Sequence, residues 1–227
     1  MPPTDRFVPR FAAEPPQDLL PYGRWAATLR ERFLAAVEAI DPDGEDLGEP
    51  EAVTWFPDRS WQGRTYVPAV ATTTTAFELF GFVSYASGGA DEGPDDFVAR
   101  ADFTDETAAR HPEWRLDLCD EVVGSWRGDE GRVADMTLVW GFPLVPGGAV
   151  ATGELADLVV DQCTLAEERF TLLAPDAYAG DTLQIKLYDA RGHELAWESL
   201  YAEVADDEDA DSDEEEEDPG AEGSRPG

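Results

Sequence analysis

The stretch GDTLQIKLYDARGHELAWESLY, residues 180–201, decides the fold class. Leu183, Ile185 and Leu187 alternate with Gln184, Lys186 and Tyr188, the period-two pattern of a strand with one buried face. Asp189, Ala190, Arg191 and Gly192 follow as a polar turn, with glycine last, where a positive φ is cheapest. Leu195, Trp197, Ser199 and Tyr201 then alternate with Glu194, Ala196 and Glu198, so the stretch reads as a hairpin.

Upstream the chain holds more of the same. Ala52 to Phe56 is a short strand and Pro57 to Gly63 a turn. Tyr66 to Thr73 is rich in β-branched residues, with Pro68 pointing to an edge or a bulge. Ala76 to Ala86 puts Phe77, Leu79, Gly81, Val83 and Tyr85 on one face and Phe80 and Phe82 on the other, so it is expected to be buried on both sides. Phe97 to Phe103 alternates as well. Trp114 to Cys119 is a further strand, and Val122 to Arg127 with Val133 to Trp140 a hairpin. Leu155 to Cys163 and Arg169 to Leu173 complete about ten strands. Frequent turn signals make the chain all-β, a mostly antiparallel sandwich or barrel.

One segment breaks that period. Between residues 22 and 40, Trp25, Leu29, Phe33, Ala36, Val37 and Ile40 fall on one face at helical spacing, and Asp41-Pro42-Asp43-Gly44 stops the helix. Its apolar stripe needs a sheet face to cover. Residues 1–21 hold six prolines and form an arm, in which Phe7, Val8 and Phe11 are apolar enough to touch the body. Residues 203–227 form an acidic tail expected to be disordered, leaving 22–202 as one β-rich domain.

Charge narrows the choice of partners. The 227 residues carry 50 acids against 16 lysines and arginines, a net charge of −34. Removing the 13 acids and one arginine that follow Ala202 leaves 37 acids against 15 bases, a net of −22. Such a body repels nucleic acid and anionic membranes. Lys186 is the only lysine. High-salt adaptation and a GC-rich codon bias both account for this composition, and codon bias is the plainer account. No apolar leader or membrane-length run occurs, so a cytoplasmic protein is expected.

Motifs of known chemistry are missing. The chain has no phosphate-binding glycine loop, no G-x-S-x-G and no H-E-x-x-H. Its two histidines, His111 and His193, read as loop residues, and no metal or other cofactor is expected. Asp41-x-Asp43-x-Glu45 has the opening of a calcium loop but lacks the glycine at position six and the closing glutamate. Cys119 and Cys163 are expected to be thiols rather than a disulfide. Gly124-Ser125-Trp126 resembles the Gly-x-Trp signature of lipocalin and nitrobindin-like barrels, whose indole closes one end of the barrel. There it lies on the first strand, whereas here it is deep in the chain, and the chain is not assigned to that family.

Three classes of function remain. The first is a non-catalytic interaction or assembly module with an unknown protein partner. The second is a β-barrel that binds an apolar small molecule, with Trp126, Trp140, Tyr85 and Trp197 as candidate pocket residues. The third is a carboxylate-dependent enzyme with no residue singled out. An enclosed apolar cavity would favour the second, and two carboxyls converging in a cleft the third.

Overall fold

The computed structural model describes residues 21, 23–86, 94–128, 131–178 and 180–200. Among them, one helix, α1 (Gly23–Val37), precedes twelve strands in three antiparallel sheets. The first sheet holds β1 (Thr54–Trp55), β2 (Arg59–Trp61), β3 (Arg64–Thr72), β4 (Glu78–Ala86) and β5 (Asp95–Thr104). In it β1 and β2 share one side of β3, and β4 and β5 follow on the other. The second runs in the order β10 (Phe170–Asp176), β7 (Val133–Pro143), β6 (Leu116–Arg127). The third runs β12 (Glu194–Ser199), β11 (Gln184–Asp189), β8 (Gly148–Leu155), β9 (Leu158–Thr164). Residues 1–20 and 201–227, which take in all of the expected arm of 1–21 but its last residue and the whole expected tail of 203–227, lie outside the described residues.

Three apolar layers stack these elements. Leu29 and Phe33 of α1 pack on Val67, Ala69 and Val83 of the first sheet. The opposite face of that sheet brings Tyr66 and Phe82 against Met136, Leu138 and Trp140 of β7. The far face of the middle sheet gives Val139, Phe170 and Leu172 to Ile185, Leu187 and Ala151 of the third. The middle sheet is therefore covered on both sides, which is why every residue of β10 is buried. Burial of such apolar side chains contributes about 25 cal/mol per Å² removed from water.

The expected hairpin forms, β11 pairing with β12, and Leu183, Ile185 and Leu187 are fully buried; in β12, however, Ala196 opposite Leu187 is the buried residue and Trp197, expected on the apolar face, points outward. Phe80 and Phe82 border the layer shared with the middle sheet, and Val83 the helix layer, so β4 is buried on both faces. Several boundaries differ from expectation: β2 forms within Pro57 to Gly63, which reads as a turn, and β8 starts at Gly148, ahead of the expected Leu155. Residues 116–127 form one strand, because a register shift between Val122 and Gly124 breaks the alternation without breaking the pairing. Residues 155–163 contain a turn at Ala156-Asp157, so that β8 and β9 form a hairpin. Pro68 lies inside β3, not at a sheet edge, where β1 ends and β2 has not begun; its carbonyl accepts the Phe56 amide at 3.0 Å. The missing proline N–H is harmless there.

Candidate functional site

An open groove of about 310 Å³ runs around the outer edge of β5. Ala36, Ala39 and Ile40, at and beyond the end of α1, wall one side, and Phe80 and Glu121 the other. Ala99, Arg100, Ala101 and Asp102 of β5 line it between them. α1 reaches this place because Trp25, Leu29 and Phe33 hold the helix on β4 and β5, while Ala36 and Ile40 fall past the packed layer.

Among the described residues β5 pairs only with β4, and none of them pairs along its other edge. The Val98 carbonyl accepts Ser84 Oγ at 3.3 Å, and a side chain on Gly81 of β4 would run into the Arg100 carbonyl oxygen. Both carbonyls therefore face β4. Antiparallel alternation then turns the backbone groups of Ala99 and Ala101 outward, into the groove. The outward Phe103 amide is taken by Asp102 Oδ1 at 2.8 Å, whereas no described residue bonds Ala99 or Ala101 on the groove side. Gly81, at φ +155°, is required by this close approach of β4 to β5.

Charge frames the groove. Arg100 Nη1 bonds Glu121 Oε1 at 2.8 Å, so its cation is already matched, and Asp102 leaves the lining net negative. One step further along the same seam, the Cys119 thiol of β6 approaches Glu78 Oε1 of β4 at 3.8 Å, a long and weak contact. Burial, with the Asp117 carboxylate adding to it, pushes the Glu78 carboxyl up to about 7. Burial raises Asp117 as well. It also pushes the Cys119 thiol far up, with Glu78 and Asp117 reinforcing it.

Of the candidate pocket residues named from the sequence, Trp126 and Trp140 border one common layer, and Tyr85 and Trp197 stand elsewhere. Trp140 is fully buried and borders the layer between the first two sheets, its indole N–H without a partner among the described residues. Trp126 packs beside both inner layers and meets Tyr178 edge-on at 5.7 Å between ring centres. Tyr85 belongs to the helix layer, edge-on to Trp25 at 5.0 Å. Trp197 is 54% exposed on the outer face of the third sheet, opposite Lys186. None of the four lines the groove. Lys186 itself binds Glu154 at 2.7 Å, a contact that raises its ammonium group and keeps it protonated. Glu154 also accepts Tyr188 and Thr152, each at 3.0 Å. Cys119 and Cys163 lie on different sheets and are not bridged. His111 stacks on Trp114 beside Glu106 and Glu113, and His193 closes its turn on Asp189.

Glu78, Arg100, Asp117 and Glu121 carry no sequence motif. Glu78 alone leaves a trace, as the single acid within the aromatic run AFELFGF.

The chain matches no protein-family model, no curated protein and no solved structure. No helix among the described residues is long and apolar enough to cross a membrane.

Proposed function

We propose that the protein is a non-catalytic interaction module of the cytoplasm that receives an extended, cationic peptide segment along the open edge of β5. The observation that carries this reading is the pair of outward backbone positions, Ala99 and Ala101, set in a groove with small apolar walls. A strand added there gains main-chain hydrogen bonds, and its alternate side chains meet Ala36, Ala39 and Ile40. The charge of the occupant follows from the body. A net of −22 on residues 1–202 attracts a cationic segment and repels a second copy of the same chain.

A labelled octapeptide of alternating arginine and valine tests it by fluorescence anisotropy. Saturable binding is expected, weaker at high salt and lost when the peptide amides are N-methylated or when Ala39→Trp fills the groove. Equal binding of the N-methylated peptide, or of one with glutamate in place of arginine, would sink the idea.

A carboxylate-dependent enzyme is the second reading, favoured by Glu78. A carboxyl that keeps its proton near neutrality suits a general acid. Burial pushes the thiol of Cys119 beside it far up, which disfavours the thiolate a nucleophile needs. The apolar-ligand reading has less support, because among the described residues the three sheets are open and, of the four candidate aromatics, only Trp126 and Trp140 border one layer.

A further inference from the structure

Glu78 and Phe80 project from the same face of β4, and Asp117, Cys119 and Glu121 from the facing side of β6, by strand alternation. Phe80 and Glu121 line the groove. Glu78 thus stands two residues beyond it, about 7 Å along the strand. Among the described residues, Asp117 and Cys119 of β6 are the titratable groups that act on it. Glu121 lies on the same face of β6, Arg100 and Asp102 of β5 line the groove, and Glu51 is held by Thr72, the cross-strand partner of Glu78, at 2.8 Å. Arg100, the one cation in that set, is tied to Glu121 at 2.8 Å. Asp117 and Cys119 are the groups that act on Glu78, and neither is cationic.

We propose that Glu78 is a proton switch for the groove, which holds a cationic segment weakly while Glu78 keeps its proton and tightly once the proton is lost. This rests on the peptide-docking reading above. With its proton, Glu78 leaves the end of the groove uncharged apart from Asp117. Without it, two carboxylates face each other there with no cation among the described residues acting on them, and an arginine or lysine of the incoming strand supplies one. Coupling is reciprocal: the cation favours the ionised carboxyl, so binding releases protons and affinity rises with pH. The carboxyl titrates near 7, which places the response around neutrality.

The same arginine–valine octapeptide is titrated at constant ionic strength between about pH 5.5 and 8.5, against the native protein and Glu78→Gln. With the peptide's α-amino group blocked, its C-terminus amidated and a label that does not titrate between these limits, arginine alone is left and it does not titrate in this range, so any pH step belongs to the protein. Carbon NMR of the glutamate δ-carboxyls, with Glu78 assigned by its absence in the variant, reads the titration directly. The expected result is a Kd that falls about tenfold as pH rises, the effect of about one pKa unit of coupling. Glu78→Gln gives a flat profile, and saturating peptide moves the Glu78 midpoint to lower pH. A step that persists in Glu78→Gln, or a flat native profile with binding intact, overturns the switch and leaves edge docking standing. Failure to bind at every pH overturns docking, and the switch with it.

Discussion

Glu78 opens a strand whose next residues are Leu79 and Phe80, and the fold carries it into the seam between two sheets. There burial favours the neutral acid, and the folded carboxyl sits at about 7 instead of the ordinary 4.5. The folded state holds this proton more tightly than the unfolded chain does. The contribution of Glu78 to stability is therefore complete below about pH 4.5 and is lost as pH rises through about 7. Because the group is partly exposed, the loss should be about 2 kcal/mol rather than the full value of the shift. Urea unfolding at pH 5 and pH 8 checks this: Glu78→Gln should remove about 2 kcal/mol of the difference between the two conditions. An unchanged difference would mean that the carboxyl ionises normally.

Two tight turns make the argument at the next scale. Ala156-Asp157, between β8 and β9, has φ of 52° and 61°, and Glu167-Glu168, between β9 and β10, has 49° and 61°. Two consecutive left-handed residues in a two-residue loop match the type I′ turn, which prefers Asn-Gly. Neither pair contains glycine, and this concealed the β8–β9 turn inside what reads as one strand. Replacing Glu167 with Asn and Glu168 with Gly should relieve backbone strain of about 1 kcal/mol, raising Tm by about 2–4 °C. The Glu167–Arg169 ion pair lost in the exchange is exposed and contributes little. A thermal melt that falls would show that the native turn is unstrained.

For the molecule as a whole, Arg59 is the residue that ties the three sheets together. It leaves β2 of the first sheet and is 1% exposed. Its Nε donates to the Thr171 carbonyl of β10 at 2.8 Å, and its Nη2 bonds Asp161 of β9 at 2.8 Å. Asp161 Oδ2 also accepts the Leu173 amide at 2.8 Å, so one buried cluster spans all three layers. Burial raises the Asp161 carboxyl while Arg59 and the amides of Leu173 and Gln162 pull it down. Arg59→Met should cost about 3–5 kcal/mol in urea unfolding, because it strands a buried carboxylate. A cost below about 1 kcal/mol, the level of an exposed pair, would deny the cluster its structural role. Surface charge acts at the same scale. With a net of −22 on residues 1–202, repulsion acts over about 30 Å at 0.01 M salt and about 3 Å at 1 M. A chain ending at Ala202 should therefore melt higher as sodium chloride rises across that range. A flat response would leave codon bias as the account of the composition.

Local pattern by itself determined the β class, the single amphipathic helix, the two-faced burial of β4 and the hairpin of residues 180–201. In each case a run of apolar residues at period 2 or 3.6 must find a surface to cover, and that demand is written in neighbouring residues. Tertiary structure alone decided the rest. Arg59 sits in a stretch that reads as a turn, and its carboxylate lies 102 residues away. Glu78 meets Cys119 across 41 residues, and the groove joins the end of α1 to three strands. Pairings between distant residues leave no periodic trace, because they depend on which sheet faces which. That choice is made by how the three apolar layers close, and no single stretch of the chain carries it.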